Sequence, residues 1–480
     1  MGKFIRLKKG FNINLAGKAA PRIAEKEPAE TVSVKPTDFH GLYMPKVTVK
    51  EGENVKAGTS LFYDKKFEQI QFTSPVSGEI VEIKRGEKRK LLEVKILADR
   101  KNEYLSFKKY TVSELANLSA EEIKSQLLES GAWPNLVQRP YGIIADPGVS
   151  PKAIHISAFD TSPLAPDYSI LFKGQDQFFQ AGVDILKKLT PGAVNVNIHT
   201  TSEVSTVFSQ VKGAEVNKFS GPHPVSCVGV QIHHIDAINK GDIVWTINPF
   251  GVIQIGKLFL TGNLDSSRVI AITGSEVKAP QYYKTVTGAS IKKLIADNLT
   301  SENVRYISGN ALTGTNIGSD GHLGFFDNQL TVLPEGNHYE LLGWITPGAN
   351  KLSFHRAWGL FSFLMPNREF KLDTNTHGEP RSFVLTGVFE KVVPMDILPT
   401  QLIKSILAED VDELHARHGF QSSRQRARMD RGRTVLQNAQ AGQVKSAGIQ
   451  QHLDHRRHDQ HMGGAERGES IPRIEVELGE

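Results

Sequence analysis

The sequence predicts a multidomain protein of α/β and α+β parts, and three observations predict it. Residues 1–105 carry short strand–glycine–strand patterns with regular turns. Residues 106–252 alternate strand-like and helix-like segments, the pattern of a mostly parallel, Rossmann-like sheet flanked by helices. Residues 253–335 place several short strands around one helical stretch, which suggests a β-grasp module. Residues 336–412 then read as a mixed, partly helical region, and residues 413–480 as an atypical tail expected to be disordered. A chain of 480 residues has room for about three domains of ~150 residues each.

Within residues 1–105 the segments Pro45 to Phe62 and Ser74 to Ile83 stand out. Each is a strand, a glycine turn and a strand, and Gly52 and Gly78 suit the tight turns this requires. The pair resembles the flattened half-barrels of lipoyl and biotinyl domains, the barrel-sandwich hybrid. A carrier protein of that kind needs an exposed lysine at a hairpin tip, and Lys65 and Lys66 sit near the expected place. The spacing from them to Ser74-Pro75 is longer than in true carriers, so a solvated lysine pair on a structural half-barrel is the plainer reading.

The alternating region opens with a helix expected over Ser113 to Ser130, with Ser113 as N-cap and Gly131 as stop. Tyr141–Ala145, Ala153–Ala158, Val194–Ile198 and Glu215–Phe219 read as strands; Asp176–Leu189 and Ser202–Val211 read as helices. Gly221-Pro222-His223-Pro224 must be a turn, because each proline fixes its own φ and restricts the residue before it. Val228, Val230 and Ile232 then alternate as a strand would, followed by a turn at Lys240-Gly241-Asp242 and a strand over Ile243–Ile247. On a strand His233 and His234 point to opposite faces, which argues against a two-histidine metal clamp. Ligands of open α/β sheets sit in loops beyond the strand ends, where Gly221–Pro224 falls. No Gly-x-Gly-x-x-Gly opens this region, and there is no Walker lysine.

In the β-grasp region Leu258–Leu260, Val269–Ile272, Tyr282–Val286 and Val304–Ile307 read as strands and Ser290–Asn298 as a helix. The spaced Gly314, Gly318, Gly321 and Gly324 read as a loop rather than a phosphate cradle. The apolar run Leu360 to Met365 offers either a membrane-surface contact or a buried strand, the latter being the commoner arrangement. Ile397 to Asp412 looks like the start of a helix.

Composition limits the chemistry. No run of about 18 apolar residues is present to span a bilayer. The basic N-terminus lacks the apolar core of a signal peptide, so a cytoplasmic place is the default. Cys227 is the only cysteine, so this chain alone builds no disulfide, cysteine zinc site or iron–sulfur cluster. The net charge of +5 overstates the basicity of the folded region: ten arginines and one lysine lie beyond residue 410, against eleven arginines before it. That tail repeats histidine at 452, 455, 458 and 461 without hydrophobic periodicity to hold a metal site, and neither aromatics nor a module accompanies its charge to bind nucleic acid.

The segments Met1–Gly17, Pro45–Phe62, Ser74–Leu92, Gly221–Trp245 and Val393–Gln401 together resemble the A subunit of the bacterial sodium-translocating NADH:quinone reductases, from residue 1 to about 410. The β-grasp region is then SLBB-like. The resemblance implies a soluble protein docked with five other subunits on the cytoplasmic side of the inner membrane. The complex passes electrons from NADH through flavins and iron–sulfur centres to ubiquinone and exports Na⁺. It implies no catalytic residue and no redox cofactor on this chain, in keeping with the single cysteine and the missing glycine-rich loop. A quinone needs an apolar slot with donors for its carbonyl oxygens. His223, His233, His234 and Trp245 are the residues expected to supply quinone or subunit contacts. The chain departs from the family after Gln401-Leu402, where acidic helical sequence is expected and Arg/His/Gln-rich text stands, with the look of a shifted reading frame.

Overall fold

In the computed structural model, residues 2–200, 206–343, 346–348, 351–352, 367–378 and 387–408 are described. Three β structures share one chain. The half-barrel joins a four-stranded sheet (Thr31–Val34, Leu91–Ala98, Gly78–Arg85, Asn54–Val55) to a three-stranded one (Pro45–Val47, Ser60–Asp64, Phe67–Thr73). Gly52 sits in a turn at φ 82°, as expected. Gly78, expected in a turn, instead opens the strand Gly78–Arg85 at φ 153°, where a Cβ would lie 1.9 Å from the Leu97 carbonyl oxygen because the neighbouring strand passes so close. A six-stranded sheet holds Ser267–Thr273, Gln281–Val286, Val304–Ser308, Thr315–Asn316 and Gln329–Pro334, with Ala20–Ala24 at its edge.

The remaining sheet carries the candidate site. Its strands are β1 (Phe4–Arg6), β2 (Val137–Arg139), β3 (Ile143–Ile144), β4 (Ile154–Ser157), β5 (Val194–His199), β6 (Glu215–Ser220) and β7 (Val244–Thr246). They lie in the order β1-β6-β5-β4-β7-β2-β3, parallel from β1 to β7 and antiparallel at β2 and β3. The extreme N-terminus is thus an edge strand of this sheet, and the next strand, Ala20–Ala24, joins the six-stranded one.

The helix α1 (Ala120–Ser130) packs on the half-barrel strand Phe67–Thr73, whereas α2 (Asp176–Lys187), α3 (Val228–Asp236) and α4 (Pro249–Thr261) accompany the seven-stranded sheet. The single helix expected over Ser113–Ser130 is split into Val112–Leu115 and α1. Thr111 and Ser119 each close a capping box, so each starts its own helix. The strand expected over Val228–Ile232 is α3, and the strand expected over Leu258–Leu260 is the last turn of α4. Short apolar runs do not separate strand from buried helix. For α4 the deciding signals are local. The Asn248 side chain accepts from the Gly251 N–H, Pro249 takes the first helical position, and Gly262 closes the end at φ 76°. The α4 helix is buried over most of its length, its polar Gln254 and Lys257 being bonded to Asn135 and Asp265, and α2 packs closely against it. A Cβ on Gly182 would lie 2.1 Å from the Val252 carbonyl oxygen, and one on Gly256 1.9 Å from that of Phe178.

The helix expected over Ser290–Asn298 shortens to Lys292–Ile295. Two further helices, α5 (Val388–Val392) and α6 (Pro399–Leu407), form a small apolar unit around Phe389, Val392, Val393 and Ile403. The run Leu360–Met365, the start of the Ser202–Val211 helix and the tail beyond 408 lie outside the described residues.

Candidate functional site

Register decides which side chains share a face of the seven-stranded sheet. Val137, Thr246, His155, Asn195 and Glu215 form one row across β2, β7, β4, β5 and β6, and Ser157, Asn197 and Asn217 form the next row of the same face. The opposite face carries Gln138, Trp245, Ile154, Ile156, Val194 and Val196. A doubly covered parallel sheet is ordinarily apolar on both sides. Here one side is apolar apart from Gln138, and the other presents Asn195, Asn197, Asn217 and His155, all buried.

The α3 helix covers the polar side and bonds to it. Gln231, fully buried, donates from Nε2 to Ser157 Oγ at 2.9 Å and accepts from Asn197 Nδ2 at 2.8 Å. Asn217 Nδ2 donates to the side-chain oxygens of Asn195 and Asn197, both at 3.1 Å. His155, 1% exposed, has no partner at either ring nitrogen among the described residues, and burial lowers its pKa to about 4.

At the carboxyl ends of the strands the loops after β4 and β6 lock together. Thr161 Oγ1 lies 3.0 Å from His223 Nδ1 and 2.8 Å from Ser226 Oγ, and the Thr161 N–H donates to Ser226 Oγ at 3.0 Å. Ser157 Oγ donates to the Ser226 carbonyl at 2.9 Å, and Asp160 accepts from the Ser162 N–H at 2.8 Å. The His223 N–H donates to Asn12 Oδ1 at 2.9 Å, which ties in the N-terminal segment. His223 is 6% exposed and burial holds its pKa below the ordinary histidine value, with Asp160 pulling the other way. The loops at the strand ends are therefore cross-linked by the chain's own hydroxyls and imidazole.

The four residues singled out in the sequence do not converge. His223 precedes α3, whereas His233 and His234 sit at its far end, more than one helical turn away. There His234 Nε2 lies 2.6 Å from the Pro394 carbonyl oxygen and His233 Nε2 3.3 Å from the Asp396 N–H. On a helix the two neighbouring histidines diverge by about 100° rather than facing opposite sides of a strand. Trp245 lies on the other face of the sheet, fully buried, edge-to-face with Trp133 at 5.5 Å, its own Nε1 without a partner among the described residues. Sequence reading missed the asparagine rows and Gln231, although the pattern Val194-Asn195-Val196-Asn197 announces them: polar residues at every second position of a strand flag a polar face.

Cys227, at the N-cap of α3, is partly buried, and burial pushes its thiol up to about 12. An iron–sulfur cluster is held by several thiolates, and a single cysteine does not meet that demand. At the half-barrel, Lys65 and Lys66 are exposed at the turn between two strands. That turn is pinned from below by the buried Asp64, which accepts from the backbone N–H groups of Tyr43, Met44 and Lys66 at 3.1, 3.3 and 3.0 Å.

Comparison with known proteins agrees with this architecture domain by domain. The family model for the NqrA N-terminal barrel-sandwich hybrid domain matches residues 5–99, that for the NqrA second alpha/beta domain residues 118–264, and that for the NQRA C-terminal domain residues 269–318. Among curated proteins, the A subunit of the Na(+)-translocating NADH-quinone reductase of Alcanivorax borkumensis is 38% identical over 416 residues. That of Serratia proteamaculans is 39% identical over the same length, each alignment covering 86% of this chain and 91% of the relative. The counterpart in Neisseria meningitidis serogroup B is 37% identical over 413 residues, again covering 86% of this chain and 91% of the relative. Among solved structures, a chain of an NAD+-reducing [NiFe]-hydrogenase in its H2-reduced state aligns at 8% identity. It covers 74% of this chain and 67% of the other with a TM-score of 0.37, a likeness too loose to carry weight.

Proposed function

The chain belongs to the family of A subunits of the Na(+)-translocating NADH-quinone reductases, and from that premise we propose that it is a docked, non-redox component of such a complex. In this reading it stands with five other subunits on the cytoplasmic face of the bacterial inner membrane, and among the described residues no helix is long and apolar enough to cross that membrane. It contributes to ubiquinone reduction coupled to Na⁺ export without carrying flavin, cluster or nucleotide itself. NADH oxidation and electron transfer belong to the partners.

One observation supports the absence of a redox role on this chain. At the strand ends, where an open α/β sheet receives its ligand, Thr161 is bonded to both His223 and Ser226, so these polar groups are engaged with one another. The unique cysteine adds support, since an iron–sulfur cluster is held by several thiolates and this chain has one cysteine. We accordingly read His223, His233, His234 and Trp245 as residues that hold this chain together rather than as quinone ligands.

The purified chain tests this directly. Its absorption above 350 nm should be flat, its iron and flavin content negligible, and its NADH:quinone activity nil. Added to membranes lacking this protein, it should restore Na⁺-stimulated quinone reduction. Stoichiometric flavin or iron on the isolated chain would overturn the reading.

A further inference from the structure

One hairpin tip of the half-barrel holds the charge imbalance of residues 1–410. Those residues carry 46 lysines and arginines against 42 acidic residues, a net charge of +4. Lys84, Arg85, Lys88, Arg89 and Lys90, with Glu87 as the one acid among them, supply net +4 in seven residues. Outside the tip the two signs balance. The strands Gly78–Arg85 and Leu91–Ala98 pair with each other as far as Arg85 opposite Leu91. Their neighbours stop short: Asn54–Val55 reaches only Gly78 and Glu79, and Thr31–Val34 runs from Leu97 only to Val94. The tip therefore projects past both, and all five cations are exposed. Lys56, Lys95, Lys152, Lys257 and Lys293 each meet a carboxylate within 3.1 Å, whereas none of the five cations at the tip forms such a pair among the described residues. The turn does not choose these residues for its own sake. The Lys90 N–H donates to the Glu87 carbonyl at 3.1 Å, and Lys88 and Arg89 between them take φ of 51° and 59°. A hairpin turn with both central residues left-handed favours Asn-Gly, because a long side chain is crowded there. Both places hold long cations instead, and the tip buries nothing, so charge is what these residues contribute.

We propose that the Lys84–Lys90 tip rests on the anionic headgroups of a phospholipid bilayer. The proposal rests on the reading of this chain as a subunit docked at a membrane face, which brings such a surface within reach. Clusters of about four to eight lysines and arginines beside a bilayer bind anionic headgroups, each residue strengthening the attraction about fivefold. Side-chain choice selects lipid over other polyanions. Single-stranded nucleic acid is held on aromatic stacking platforms, and residues 78–98 contain no aromatic side chain. The core of a protein interface is poor in lysine and rich in aromatics and methionine, yet three of the five cations are lysines and no methionine lies in this hairpin. Mobile lysine stems suit a fluid array of headgroups, which offers no fixed partner.

The test is co-sedimentation of the purified full chain with vesicles of phosphatidylcholine alone and of phosphatidylcholine with phosphatidylglycerol. The chain should bind only the second, and salt should release it as the screening length falls from about 8 Å at 0.15 M to about 3 Å at 1 M. K88N/R89G removes two cations and gives the turn its favoured residues. It should weaken vesicle binding about twentyfold, while the thermal midpoint stays or rises. K65Q/K66Q, an equally exposed pair at another half-barrel turn, should bind as the unsubstituted chain does. The arginine-rich tail is present in every variant, so binding carried by the tail would survive K88N/R89G and overturn the proposal. Failure of the unsubstituted chain to bind the anionic vesicles would also overturn it. So would loss of duplex DNA or of partner subunits by K88N/R89G with vesicle binding kept, in favour of nucleic acid or of an acidic protein surface. Recovery of partners with the tagged chain decides membership of a complex separately: partners without vesicle binding would refute the tip and leave that membership standing.

Discussion

His234 donates its Nε2 proton to the carbonyl oxygen of Pro394 across 2.6 Å, joining the last turn of α3 to the segment between α5 and α6. A carbonyl only accepts, so the proton sits on Nε2 of His234. The Asp396 N–H only donates, so Nε2 of His233 is bare. Neighbouring histidines thus hold opposite tautomers, and together they clasp the C-terminal helical pair to the sheet layer.

Replacing both histidines by alanine should speed hydrogen exchange over residues 394–407 and leave β4 and β5 unchanged. Acid should do the same to the native chain. Burial first, and the neighbouring His234 second, hold the His233 pKa below its ordinary value. The neutral form is therefore the folded one. The bond to Asp396 is complete above the ordinary histidine pKa of about 6.5 and is lost as pH falls through the lower, folded-state value. Exchange mass spectrometry at pH 7.5 and pH 5, corrected for intrinsic rates, reads both effects.

His155 makes a larger demand on acid stability. Its pKa falls from 6.5 to about 4 because the ring is buried without a partner among the described residues. The neutral imidazole then contributes about 3 kcal/mol above pH ~6.5, declining toward pH ~4 as the unfolded chain takes up the proton first. Denaturant unfolding across that window should show the slope, and His155→Leu should flatten it.

Gln231→Leu should cost about 2–3 kcal/mol, since it leaves the buried Asn197 Nδ2 without its partner and removes one of the bonds to Ser157. Thermal unfolding measures this. Gln231→Glu should cost at least as much, because a buried carboxylate would face the Val225 and Ser226 carbonyls to which the Gln231 Nε2 now donates.

Lys65 and Lys66 should be unmodified. Intact mass of the chain purified from its native cell should equal that of the polypeptide, and Lys65→Arg with Lys66→Arg should leave complex activity unchanged. A mass increment matching a lipoyl or biotinyl arm would reinstate the carrier reading.

Much of this fold was legible in the chain. The first half-barrel turn announced itself through Gly52, and the parallel sheet through its alternation with helices. The errors share one cause. Val228-Gly229-Val230-Gln231-Ile232 and Leu258-Phe259-Leu260 are short and apolar, and a buried helix shows no polar stripe to betray its period. For α4 the caps Asn248-Pro249 and Gly262 could have settled the matter; α3 has no side-chain cap at Cys227, so nothing local could. The four candidate residues came from chemistry alone. Their separation depends on α3 being a helix and on which face Trp245 takes, and both are tertiary facts.

The most direct measurement is affinity purification of the tagged chain from detergent-solubilised native membranes, with partners identified by mass spectrometry and the eluate assayed for NADH:quinone activity. The account predicts recovery of membrane subunits together with Na⁺-stimulated activity, and the same result for a chain ended at Glu409. Recovery of both chains alone and inactive would contradict it.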